Sequence, residues 1–215
     1  MSNMNTPAIF WSLDIETLGT TIDSAVTQIG LALFEKQPNG YHCTQRHTID
    51  IAPEEYDKRH VDPATIAWYQ QKELTLPSGP YLNRIQALWT FTSILASVKP
   101  PETEGDDKPG PVVIFSKGPH FDFAILRDFF GGAPWHYRAP RDFRSVVMLS
   151  SDTEDTLYEL AKSQTDLEED LHDAGYDAWL QGVILVDVFE EFDGLCADNK
   201  ELREHNQKLI ARVVK

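Results

Sequence analysis

Three shortages bound what this chain of 215 residues can be. Cysteine occurs twice, as Cys43 and Cys196, far apart. Two such residues make neither a disulfide framework nor a cysteine zinc centre, and they fit a reducing, cytoplasmic setting. No stretch is long and apolar enough to span a bilayer, and the N-terminus lacks an apolar signal region, which argues against membrane and secreted roles. Positive charge is scarce: 19 Lys and Arg stand against 34 Asp and Glu, a formal charge of -15. Holding a long phosphate backbone takes a basic surface, so long nonspecific nucleic-acid binding is disfavoured. A short contact at bound metal ions is not, because those ions bring their own positive charge. Most of the acids read as a solvated surface.

What is present is enough apolar residue, 41%, for a real core. Residues 8–15 read as an apolar and aromatic strand, residues 26–34 as a second, and residues 41–51 as a third after the Pro38-Asn39-Gly40 turn. Three strands in close succession predict an antiparallel meander. Asp62-Pro63 is a helix start, followed by Ile66, Trp68 and Tyr69. Helical spacing covers residues 81–98, a Pro-, Gly- and acid-rich loop residues 99–111, and a buried strand residues 112–115. Residues 121–130 predict a helix stopped by Gly131-Gly132. Residues 142–149 and 153–162 predict two short helices. Residues 174–196 predict a long apolar helix, and residues 199–214 a separate polar one. The whole reads as one mixed α/β domain over residues 8–197, with a flexible tail at 1–7 and a C-terminal helix at 198–215 packed on the domain or extending from it.

Chemistry concentrates in three short segments. Asp14 and Glu16 stand in Asp-Ile-Glu-Thr-Leu-Gly. Two apart on a strand, they share a face about 6.5–7 Å apart. Catalytic metal pairs sit about 3.5–4 Å apart, so such carboxylates can straddle them. Alone, the pair also fits a polar strand end. Asp122 stands in Lys-Gly-Pro-His-Phe-Asp at a helix start, where an acid also suits the helix dipole. Phe121, Phe123 and Ile125 give it an apolar surround, where an unneutralised charge is costly. His172 and Asp177 stand in His-Asp-Ala-Gly-Tyr-Asp. With a helix starting near Ala174, the histidine lies on the preceding loop and the aspartate one turn in. A lone surface histidine fits that position too; a zinc site does not, since no cysteine or further histidine has ligand spacing.

Jointly, these segments resemble the DEDDh branch of the DnaQ-like 3′-to-5′ exonucleases. Asp14, Glu16 and Thr17 fit the family's Asp-x-Glu-Thr motif, Asp122 its second motif, and His172 with Asp177 its His-x4-Asp motif, across residues 8–185. Thr17-Leu18-Gly19, Trp68-Tyr69, Phe115-Ser-Lys-Gly and Arg141-Asp142-Phe143-Arg144 are similar to the narrower group of the phage exodeoxyribonuclease and RNase AS types.

The resemblance implies an RNase H-like fold, with a central five-stranded mixed sheet flanked by helices. It implies that Asp14, Glu16, Asp122 and Asp177 hold two Mg2+ or Mn2+ ions, with His172 as general base; imidazole as a class exchanges protons near neutral pH. The implied reaction releases nucleoside 5′-monophosphates from a single-stranded DNA or RNA 3′ end. Thr17 and Leu18 are implied contacts of the terminal nucleotide, although Leu18 equally suits core packing. Trp68 suits base stacking or the core, Lys117 a phosphate contact or plain exposure, and Arg141 and Arg144 either acids or phosphate. Two other functions use the same residues: a phosphodiesterase for short oligonucleotides or nucleotide-capped ends, and a noncatalytic adaptor. A homodimer is compatible with the apolar C-terminal helices.

Overall fold

Alternation along β1 (Ile9–Thr17) decides the architecture. Trp11, Leu13 and Ile15 enter one apolar core, while Phe10 enters a second core on the opposite face. Ser12, Asp14 and Glu16 follow Phe10 at two-residue intervals and therefore share its face. A strand with two apolar faces must be covered on both sides. The computed structural model describes residues 6–100, 110–163 and 172–213, and in it helices cover both faces.

β1 pairs antiparallel with β2 (Val26–Gln37), which pairs antiparallel with β3 (Gly40–Ile51). This is the expected meander. Gly40 closes its turn at φ 111°, a left-handed value that favours glycine. The 3-10 helix Pro53–Lys58, α1 (Pro63–Gln71), β4 (Tyr81–Leu82) and α2 (Arg84–Ala96) follow. β5 (Val113–Ser116) pairs parallel with β1 and leads into α3 (Asp122–Phe130), which ends at Gly131 with φ 76°. β6 (Pro140–Asp142), α4 (Phe143–Val147), α5 (Glu154–Ser163) and α6 (Ala174–Val213) complete the chain. Sheet order is β4-β3-β2-β1-β5-β6. α2 and α3 pack over Trp11, Leu13 and Ile15, and α4, α5 and α6 over Phe10, Phe34 and Phe115.

The sheet differs from expectation in having six strands rather than five. β4 and β6 span two and three residues, too short to show alternation. The helix expected over residues 81–98 is shorter: Tyr81 and Leu82 pair with β3, and Asn83 caps α2 through a reciprocal bond with Gln86. The two helices expected after Ala174 are one element of 40 residues. No proline interrupts its polar second half, so nothing in the sequence breaks the backbone hydrogen bonding of the helix. Of the tail expected at 1–7, Thr6 and Pro7 are tied down: the Thr6 hydroxyl donates to Asp193 at 2.9 Å, and the Tyr41 hydroxyl donates to the Pro7 carbonyl at 2.7 Å. Residues 1–5, residues 101–109 of the expected acidic loop, and residues 214–215 lie outside the described residues. No helix among the described residues is long and apolar enough to cross a membrane.

Candidate active site

The acidic residues meet because α6 lies directly on the sheet. Asp14 pairs with Gly30, and Gly30 with Thr48, across β1, β2 and β3. A Cβ on Gly30 would come within 1.8 Å of the Ala174 carbonyl oxygen, and one on Gly175 within 2.0 Å of Thr48 Oγ1. Only a row of small residues admits a helix backbone this close. Asp177 and Gln181, one turn apart on α6, are thereby lowered onto Asp14. Gln181 Nε2 donates to Asp14 Oδ1 at 2.8 Å. Asp173 caps the helix by accepting from the Tyr176 amide at 2.8 Å. Asp122 arrives from the other side, at the start of α3, where its Oδ2 accepts from the Ser116 hydroxyl and from the Gly118 amide at 3.2 Å.

His172 stands just before α6 at φ 81°, left-handed and uncommon outside glycine. Its amide donates to Asp177 Oδ2 at 3.1 Å, which fixes the turn. Its Nδ1 lies 3.8 Å from Glu16 Oε1. One ligand atom each from Glu16, His172 and Asp177 lie within 4.8 Å of one another. The Tyr69 hydroxyl donates to Glu16 Oε2 at 3.1 Å.

The electrostatics are those of crowded, buried acid. Burial raises the Asp14 carboxyl well above the ordinary range, and the charges of Asp122, Asp177 and Glu16 raise it further. Glu16 is pushed up to about 8, by burial first and then by Asp177. Asp122 rises to about 6 through burial, against the lowering bonds from Ser116 and Gly118. Burial raises Asp177 too, against the lowering bond from the His172 amide. Among the described residues, no lysine or arginine is ion-paired with any of the four. Hard oxygen donors that repel one another, with no ion-paired lysine or arginine among the described residues, fit divalent cations, which supply the missing charge.

The model of the Rv2179c-like 3′–5′ exoribonuclease domain matches residues 10–189. The chain belongs to that family. It is therefore a 3′–5′ exonuclease, a hydrolase of phosphodiester bonds. No curated protein matches it at a significant level.

Beside Glu16 and His172, the exonuclease opens a groove of about 1480 Å³ that is also lined by Trp68, Tyr69, Asp50, residues 72–78 and Pro80. Trp68 is 37% exposed and meets the His172 ring edge-on at a centroid distance of 5.0 Å. It is thus available to the groove rather than consumed by the core. The other substrate-side expectations land differently. Leu18 is 3% exposed and packs in the core, and the Thr17 hydroxyl donates to the Gly19 carbonyl at 2.7 Å. Lys117 Nζ is paired with Glu154 Oε1 at 2.8 Å and lies 4.3 Å from the centre of the Tyr158 ring. Arg144 reaches the same Glu154 at 3.6 Å and donates to the Lys117 carbonyl at 3.0 Å. Arg141 donates to the carbonyls of Arg138 and Pro140, so it braces its own loop.

Four contacting residues were missed in the sequence. Gln181 follows Asp177 by one helical turn, so spacing alone could have found it. Tyr69 stands on the predicted helix, in the Trp68-Tyr69 segment, with no role assigned by its neighbours. Ser116 stands in the Phe115-Ser-Lys-Gly segment, six residues before its partner, with no role assigned there, and Glu154 carries no local signal, because it meets Lys117 and Arg144 only in the folded chain.

Proposed function

We propose that the exonuclease is an RNase H-like, DnaQ-like enzyme of the DEDDh type that trims a single-stranded 3′ end, RNA foremost, with two divalent metal ions. The observation that carries the proposal is the crowding of Asp14, Glu16, Asp122 and Asp177 with His172, of which Glu16 and His172 line an open groove. Family membership supports RNA as the substrate class. The six-stranded sheet with helices on both faces is compatible with an RNase H-like fold. Two exposed free cysteines, Cys43 and Cys196, fit a reducing cytoplasm.

Asp14, Glu16, Asp122 and Asp177 would hold the cations, Mg2+ or Mn2+. Bound there, the cations would neutralise the phosphate, acidify a water and stabilise the leaving oxygen. His172 Nδ1, turned toward Glu16, accepts the proton of the attacking water. The water oxygen bonds to phosphorus, the bond to the 3′ oxygen of the preceding nucleotide breaks, and that oxygen takes up a proton from solvent as His172 releases its own. One nucleoside 5′-monophosphate is released. Tyr69 and Gln181 orient Glu16 and Asp14 through their hydrogen bonds, and Trp68 offers a stacking face for a base. The Lys117–Glu154–Arg144 group places two cations against one acid beside Asp122 and Asp177, a flank suited to one phosphate.

The test is a product-resolved assay on matched single-stranded RNA and DNA, with Mn2+ or with EDTA. Single 5′-monophosphates should appear only with metal, and faster from RNA. Asp14→Ala should lower turnover at least about a hundredfold, since electrostatic stabilisation by metal is worth several kcal/mol. Equal activity in EDTA, internal cuts, 3′-phosphate products or an active Asp14→Ala protein would overturn the proposal.

A further inference from the structure

Gln28 occupies a position that the proposed reaction does not use. It pairs with Glu16 on one side and Asp50 on the other, in a row across three strands. Its side chain is buried and makes two bonds at once. Nε2 donates to Asp50 Oδ1 at 2.8 Å, and Oε1 accepts from the Ala174 amide at 2.6 Å. That amide opens α6, where the first N–H groups have no partner inside the helix. A strand side chain therefore caps a helix 146 residues away in sequence.

The consequence reaches His172. Its amide is bonded to Asp177, Asp173 caps the same turn, and Ala174 is held by Gln28. The turn is thus closed within itself and fastened to the sheet. The small contact surfaces at Gly30 and Gly175 set how near α6 approaches, but they are nondirectional. The Gln28 bond is directional, and it fixes the first residue of the helix relative to the strand that carries Glu16. The left-handed backbone at His172 is an unfavoured state that persists only where surroundings hold it.

We propose that Gln28 is a positioning residue for the reaction. Acting through the Ala174 amide, it holds the His172 imidazole in register with Glu16. Asp50 in turn fixes the orientation of the Gln28 amide, so that its oxygen, not its nitrogen, meets Ala174. This rests on the proposed role of His172 as the base.

Gln28→Leu removes both bonds while keeping bulk. It should lower kcat about tenfold or more, because a misplacement near 1 Å costs up to about a hundredfold, and leave KM within about twofold. Amide exchange at Ala174, followed by NMR on the unliganded protein, should quicken at least about tenfold. The double variant Gln28→Glu/Asp50→Asn reverses the donor and acceptor between the two side chains and keeps an oxygen for Ala174; it should recover most of the lost kcat. Measuring well below the Tm of each variant separates these effects from unfolding. Unchanged Ala174 exchange, a raised KM at constant kcat, or no recovery in the double variant would overturn the role. His172→Ala is measured alongside. If it stays fully active, the site reading fails while the exchange result still decides whether the link exists. If it loses activity and Gln28→Leu does not, only the positioning role falls.

Discussion

Glu16 should make the metal-free exonuclease less stable as pH rises, and replacing it with Gln should abolish that loss. Its carboxyl titrates near 8 in the fold against an ordinary value of 4.5, so the native state binds the proton more tightly than the unfolded chain does. Below pH 4.5 the group is protonated in both states, and its contribution to stability is complete. As pH climbs from 4.5 through 8, the unfolded chain ionises first, and the contribution is lost. At the limit the loss is about 5 kcal/mol. Solvent at the 14% of the side chain still exposed screens part of it, which leaves about 2–3 kcal/mol. At about 2–4 °C per kcal/mol for a chain of this size, the Glu16→Gln variant would gain roughly 5–10 °C in Tm over the wild type at about pH 8.5.

The assay is thermal unfolding followed by circular dichroism, in EDTA, at about pH 5.0 and 8.5, for wild type and Glu16→Gln. The difference between the two proteins is the quantity of interest, because other groups titrate over the same range. His47, for example, is lowered by burial and acts with the opposite sign. The proteins should coincide within about 1 kcal/mol at pH 5.0, and the variant should be the more stable at 8.5. Millimolar Mg2+ or Mn2+ should stabilise wild type more than the variant at pH 8.5, since bound cations replace the proton as the source of neutralising charge. A wild type as stable as Glu16→Gln at pH 8.5 in EDTA would refute the reasoning. So would a cation effect that does not depend on the carboxylate.

Two more outcomes are expected. His172→Ala should lower kcat about 10²–10⁴-fold and largely spare cation affinity, read by calorimetric titration of Mn2+; an affinity loss matching that of Asp14→Ala would make the histidine a ligand rather than a base. Gly30→Ala should cost at least about 3 kcal/mol or prevent folding, because the added methyl meets the Ala174 carbonyl 1.8 Å away on rigid backbone; a normal urea midpoint would show that α6 does not rest on β2.

The contrast between Asp14 and Lys117 shows where sequence reading of this protein stops. Asp14, Glu16, Asp122, His172 and Asp177 are grouped in the sequence only by their resemblance to the family's three motifs; what their neighbours write locally is the period of the element that each lies on or beside. The meander was legible from that period, through β1, β2 and β3. Lys117 gave no sign of Glu154, 37 positions on in the sequence, since an ion pair between elements leaves no periodic trace. Leu18 is a related case. The family resemblance implied a contact with the terminal nucleotide while core packing suited it equally; the register shift between Glu16 and Thr17 ends regular pairing, and the leucine turns into the core. Gly30 is the most telling. Within an apolar strand it reads as a weak spot, and only the helix backbone resting on it explains why no side chain fits. What the strand omits at Gly30 is what lets Asp177 reach Asp14, so the decisive residue for assembling the acids is one with no chemistry of its own.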